Sequence, residues 1–192
     1  MKLKLKQLAT VQMGYSFRSR LEISGNGETG VIQMKDLLSD NTISCKELAR
    51  IEMKSVKDHH LVQKEDLVFR SRGQAANTAI LLEDPGKAVV AAPLLRIRVI
   101  DLNKILPKYL NWYISRRDAQ VFLTSRAKGT AQKMITKQTV EDMEICLPTL
   151  ETQRRITDLA DLSEREHELL GILAEKRHHY ISTLLMQAAK GA

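Results

Sequence analysis

Three short stretches of this 192-residue chain carry side chains suited to chemistry, and all three are basic. Gly14-Tyr15-Ser16-Phe17-Arg18-Ser19-Arg20 interleaves two aromatic rings with hydroxyls and guanidinium groups. Arg70-Ser71-Arg72-Gly73-Gln74, with Asn77 just beyond, sets arginines and amides around a glycine. Lys128-Gly129-Thr130-Ala131-Gln132-Lys133, followed by Lys137, repeats the theme with lysines. An arginine fork matches two phosphate oxygens or the O6/N7 edge of guanine, and a glutamine or asparagine amide matches the donor and acceptor of adenine. Arg18, Arg20, Arg70, Arg72, Gln74, Asn77, Lys128, Gln132, Lys133 and Lys137 are therefore the candidate nucleic-acid contacts. Two readings stay open beside this one: Tyr15 and Phe17 serve as core anchors with Arg18 and Arg20 merely solvated, and Arg70 and Arg72 pair with Glu65 or Asp66.

Other chemistries find less support. Glu52-Met53-Lys54 is the one acid-x-lysine triplet, half of a nuclease metal site, but such a site also needs an upstream acid on an adjoining strand, and nothing in the setting of the candidate, Asp40, supports that role. The adjacent pairs His59-His60 and His178-His179 cannot aim both rings at one site from a regular helix or strand, so surface histidines are expected. Cys45 and Cys146 stand apart and suggest neither a metal framework nor a disulfide. There is no glycine-rich methyl-donor loop, no Asn/Asp-Pro-Pro-aromatic run and no phosphate loop of the Walker type, so no cofactor and no catalytic activity are expected.

The elements that position the basic stretches follow from the hydrophobic pattern. Leu3 to Met13 suggests a strand entering a helical turn, and Val31–Met34, Leu67–Phe69, Ala79–Leu82 and one or two segments within Ala88–Ile100 read as strands. A turn at Lys64-Glu65-Asp66 precedes the strand that delivers Arg70 and Arg72. Pro107 opens a helix expected to run to about Ala127, Thr136 caps a short helix to Asp142, and Glu144–Leu147 is a last strand before Pro148. Apolar residues make up 43% of the chain, enough for a core, and no apolar run approaches the ~20 residues of a membrane span. Without an N-terminal apolar block, a cytoplasmic protein is expected.

Beyond Pro148 the pattern changes to one long helix, Thr149 to about Ala189, roughly 60 Å long at 1.5 Å per residue. Its six basic and seven acidic residues leave an excess of +8, of the net +7, in the part before it. Such a division suits a polyanion-binding domain, 1–148, and a protein-binding helix, 149–192. Steps of four and three run through Leu159, Ser163, Glu166, Leu170, Leu173, Arg177, Tyr180 and Leu184, a coiled-coil frame. If two copies pack antiparallel about a centre between Leu170 and Leu173, Leu159 faces Leu184, Ser163 faces Tyr180 and Glu166 faces Arg177. Gly171, near that centre, permits close approach or marks a break.

The motifs also occur in a telling order: Val31-Ile-Gln-Met-Lys-Asp-Leu37, Lys64-Glu-Asp-Leu-Val-Phe69 with Arg72-Gly73, Pro107-Lys-Tyr-Leu110, Gly129-Thr-Ala-Gln132, then Ile145-Cys-Leu-Pro148 with Leu150-Glu151, Gln153 and Ile156. Over nearly the whole chain this order and spacing resemble the specificity subunit of type I restriction-modification systems. The resemblance implies an α+β fold: a mixed β-sheet target recognition domain, then a long helix forming an antiparallel coiled coil. It implies a non-catalytic subunit that binds double-stranded DNA and directs partner methyltransferase (M) and restriction (R) subunits to a bipartite site. The family's usual subunit carries two recognition domains and two helices, whereas this sequence shows one of each. A homodimer through the C-terminal helix would rebuild the arrangement and read an inverted repeat. The competing readings are a dimeric protein- or RNA-binding adaptor and an inactive truncated specificity fragment.

Overall fold

Strong local apolar runs make the strands of the computed structural model, which describes residues 1–17, 27–53, 55–73, 77–129 and 133–191. Contacts divide the chain into one unit, Met1–Arg154, and a second, helical one, Arg155–Ala192. In the first unit β1 (Lys2–Lys4) leads through a 3-10 turn into β2 (Ala9–Met13), followed by β3 (Thr29–Ile32), β4 (Ala49–Ile51), β5 (Leu67–Phe69), β6 (Thr78–Ile80), β7 (Ala88–Val90) and β8 (Leu95–Val99). Then come α1 (Pro107–Ile114), α2 (Arg117–Ser125), α3 (Lys137–Glu141), β9 (Glu144–Cys146) and α4 (Leu150–Ala189).

The order β2-β8-β5-β6 forms an antiparallel four-stranded sheet, and β4-β3-β7 a three-stranded one in which β3 runs antiparallel to β4 and parallel to β7. A separate pair, β1 with β9, ties the two ends of the unit together. Every residue of β3, β5, β6 and β7 is buried, as expected of strands covered on both faces. Leu67, Phe69, Leu95, Ile97, Leu110 and Ile114 are all within 1% of full burial. Burying such side chains contributes roughly 1.5–3 kcal/mol each before conformational entropy is counted. The expected α+β architecture with mixed sheets and a long final helix is what is found.

Two local expectations change. The helix from Pro107 to Ala127 is in fact α1 and α2, broken at Ser115-Arg116. Ser115 Oγ donates to the Asn111 carbonyl (3.1 Å) and Gln120 Nε2 to that of Ile114 (2.7 Å), so side chains satisfy carbonyls at the end of α1. Arg116 is then extended (φ −81, ψ 155) and starts a new helix. Nor does Gly171 mark a break, because α4 runs straight through it.

The start of α4 is fixed within the first unit. Thr149 Oγ1 accepts from Thr152 N at 3.3 Å, the expected cap. Gln153, fully buried, accepts from Leu106 N (2.9 Å) and donates to the carbonyls of Lys104 (2.9 Å) and Pro148 (3.0 Å). One amide thus joins the helix to the segment before α1. Along the rest of α4, Leu159, Leu170, Leu173, Tyr180 and Leu184 are exposed, as are Glu166 and Arg177.

Candidate nucleic-acid interface

The end of β5 and the stretch before α3 meet in a small ladder that the sequence does not announce. Met134 exchanges backbone hydrogen bonds with Lys128, N to O at 2.8 Å and O from N at 2.9 Å, and it bridges Arg72 on its other side. Ile135 N then donates to Ser71 O at 2.8 Å, and Ser71 Oγ donates to the Pro93 carbonyl. Turning the chain at both margins needs glycine: Gly73 has φ +117 and Gly129 φ +105, values that L side chains rarely adopt.

This ladder gathers Arg72, Lys128 and Lys133. All three are exposed, and none has an acidic partner among the described residues. Arg72 Nε donates to Met134 Sδ at 3.4 Å, and its two terminal nitrogens have no partner among the described residues. Lys137, the first residue of α3, is close in sequence but has a 3.5 Å ion pair with Glu141. The arrangement offers one guanidinium fork and two point charges to a polyanion.

Arg70 and Asn77 are placed differently. Arg70 is half-buried and its Nη2 donates to Met34 O at 3.0 Å, so this fork is engaged within the fold. Asn77 O accepts from Arg70 N at 2.9 Å, which places it at the base of the same loop. Arg18, Arg20, Gln74 and Gln132 lie outside the described residues. Tyr15 and Phe17 pack on the apolar cluster of Val31, Ile51, Val89 and Ala91, with their ring centroids 4.8 Å apart, as core anchors do. His60 is half-buried rather than a free surface residue: its ring meets Tyr15 edge-on at 5.3 Å, and burial beside His59, Lys57 and Arg96 pulls its pKa down.

The alternative reading, a pairing of Arg70 or Arg72 with Glu65 or Asp66, is not found among the described residues. Asp66 is paired instead with Arg98 of β8, which is not among the expected partners. The signal was the pattern Leu95-Arg-Ile-Arg-Val99, in which Leu95 and Ile97 take one face and the arginines the other. The Asp66 contact pushes the Arg98 pKa up, whereas burial beside Arg98 pulls that of Arg96 down. Asp40, the acid considered for a nuclease site, accepts from Thr42 N (3.0 Å) and Thr42 Oγ1 (2.7 Å) in its own turn, and Lys54 lies outside the described residues. Among the described residues no helix is long and apolar enough to cross a membrane.

A family profile, described as the type I restriction modification DNA specificity domain, matches residues 1–168. The chain belongs to this family. Three solved structures share the fold of the specificity domain. The HsdS subunit from Thermoanaerobacter tengcongensis aligns with a TM-score of 0.62 and 20% identity over 86% of this chain and 37% of that one. The S subunit of a type I restriction-modification system from M. genitalium aligns at 0.58 with 14% identity, over 91% and 41%. A chain from a study of complex assembly and conformational transition of the type I R-M system aligns at 0.65 with 20% identity, over 88% and 39%. This chain thus spans about two fifths of the length of each. No curated protein matches it in sequence.

Within the specificity domain, the motif acids build turns. Asp36 Oδ2 accepts from Gln33 N at 2.7 Å, and Asp66 Oδ2 from Gln63 N at 2.9 Å, the same Gln-x-x-Asp device used twice. In the second turn Glu65 takes φ +70. These residues shape the scaffold.

Proposed function

We propose that this chain is a non-catalytic DNA-reading module of a type I restriction-modification specificity subunit, which directs methyltransferase and restriction partners to a bipartite site. The observation that carries the reading is the ladder around Met134, which gathers Arg72, Lys128 and Lys133 with no acid to neutralise them among the described residues. The charge excess before Pro148 supports the same conclusion, since a duplex is bound first through its phosphates. On this reading residues 1–148 recognise DNA and residues 149–192 dimerise. Arg18, Arg20, Gln74 and Gln132 join the contact set by residue type and sequence position alone.

Dimerisation through α4 accounts for the exposed row Leu159, Leu170, Leu173, Tyr180 and Leu184. An antiparallel homodimer carries two identical readers related by a two-fold axis, so the site is an inverted repeat with unread base pairs between its halves. The test is binding of the purified chain to a randomised duplex library at several salt concentrations. Enrichment of an inverted repeat, with affinity falling steeply as salt rises, is expected. Salt-independent binding, or enrichment of RNA over duplex DNA, would overturn the proposal in favour of an adaptor.

A further inference from the structure

We infer that Met134 is a positioning residue for sequence reading: its thioether holds Arg72 by the Nε edge and leaves the terminal pair of guanidinium nitrogens to fork onto a base. The inference rests on the reading of this chain as a DNA specificity module. An exposed arginine has large side-chain rotamer freedom, much of which it loses on forming a bidentate contact. A bond from Nε to a fixed acceptor removes part of that freedom beforehand.

Met134 is well placed to be such an acceptor. Both of its backbone polar groups are bonded to Lys128, and the next residue, Ile135, is 5% exposed and bonded to Ser71 O. Its side chain therefore rises from a backbone held on two sides. Arg72 stands across the ladder from it, and the 3.4 Å contact uses Nε alone. Arg70 shows the contrast: one of its terminal nitrogens is already given to Met34 O, so only Arg72 of the pair keeps a free fork among the described residues. Thioether acceptors are weak, which suits a tether that must orient the side chain without withholding it from DNA.

The test uses the full chain with Met134→Leu, which keeps the apolar volume and removes the acceptor, and Met134→Gln, which supplies a carbonyl at similar reach. In the free protein, the Arg72 Nε–H resonance should exchange slowly with water, become mobile in Met134→Leu and recover in Met134→Gln. On duplexes selected from a randomised library, Met134→Leu should lose about fivefold discrimination at one base pair, the pair that Arg72→Ala also loses, with its salt slope unchanged. Adding Met134→Leu to Arg72→Ala should cost nothing more. An Arg72 Nε–H as mobile in the wild type as in Met134→Leu overturns the inference, whatever the DNA result. A restrained Arg72 in a protein that discriminates at no base pair sinks the DNA-reading function and this role with it.

Discussion

The Arg98 guanidinium meets both oxygens of Asp66, Nε to Oδ1 at 2.6 Å and Nη2 to Oδ2 at 2.6 Å. Arg98 also donates to Leu61 O at 3.0 Å, while Asp66, 1% exposed, accepts from Gln63 N. This pair locks the turn before β5 to the neighbouring strand β8, and β5 is the strand that delivers Arg72. Asp66 is buried whereas the Arg98 side chain is 29% exposed, so losing Asp66 removes two charge-assisted hydrogen bonds and the Gln63 turn bond while leaving a partly solvated guanidinium.

Asp66→Ala should therefore destabilise the chain by about 2–3 kcal/mol. Urea unfolding measures it, and a loss below about 1 kcal/mol would show that the pair is solvated. Replacing Arg72, which lies in no such pair, should leave the unfolding midpoint within experimental scatter.

Lys128 and Lys133 are point charges beside the same ladder, so each should contribute to affinity without sequence preference. Lys128→Ala and Lys133→Ala should each lower the slope of log affinity against log salt by roughly 0.9 for every phosphate that the variant no longer neutralises. Discrimination between sites should stay as it was. Lys137→Ala should change the slope less, because Glu141 already shares that charge. Equal slopes for all three variants and the wild type would remove this surface from the DNA interface.

Alkaline stability should depend on Tyr109. Its ring is 2% exposed, its hydroxyl donates to Cys146 O at 2.8 Å, and burial, helped by Tyr113 and Cys146, pushes its pKa up to about 12. An unfolded tyrosine releases its proton near pH 10. Between about pH 10 and 12 the unfolded chain thus binds fewer protons than the folded one, so stability is full below pH 10 and falls as pH rises through that window. Tyr109→Phe should cost about 1 kcal/mol at neutral pH, through the missing hydrogen bond, but decline less steeply above pH 10. Parallel decline of variant and wild type in urea titrations would place the alkaline loss elsewhere.

What was legible in the sequence was local. The Leu67–Phe69 run, the caps at Thr136 and Thr149 and the apolar spacing of α4 are written within a few residues, and each formed as expected. The order of the motifs carried the family, and Asp66 builds the turn expected at Lys64-Glu65-Asp66, but its partner Arg98 lies 32 residues away and no local pattern specifies it. Gln153 is similar: its partners at Lys104 and Leu106 lie almost fifty residues away. The candidate interface was half legible. Arginine and lysine announce themselves by type, so Arg72, Lys128 and Lys133 could be named. Met134 could not, because a methionine in a loop carries no signal until tertiary pairing sets it between two cations. The same non-local step took Arg70 to the Met34 carbonyl.

The register of α4 is the remaining expectation, and charge reversal isolates it. In the antiparallel pairing centred between Leu170 and Leu173, Glu166 faces Arg177 twice per dimer by symmetry. Glu166→Arg would set arginine against arginine at both places in the seam and should weaken dimerisation about tenfold, since like charges facing each other there repel. Joining it to Arg177→Glu restores opposite charges and should return the affinity to near the wild-type value. Light scattering reads both outcomes, because a dimer has twice the 21.8 kDa chain mass. Restoration by the double variant supports this register specifically. A single reversal that leaves the mass at two chains would show that the exposed leucine row pairs in another frame, and a wild-type chain that stays at one mass would show that α4 does not pair with itself.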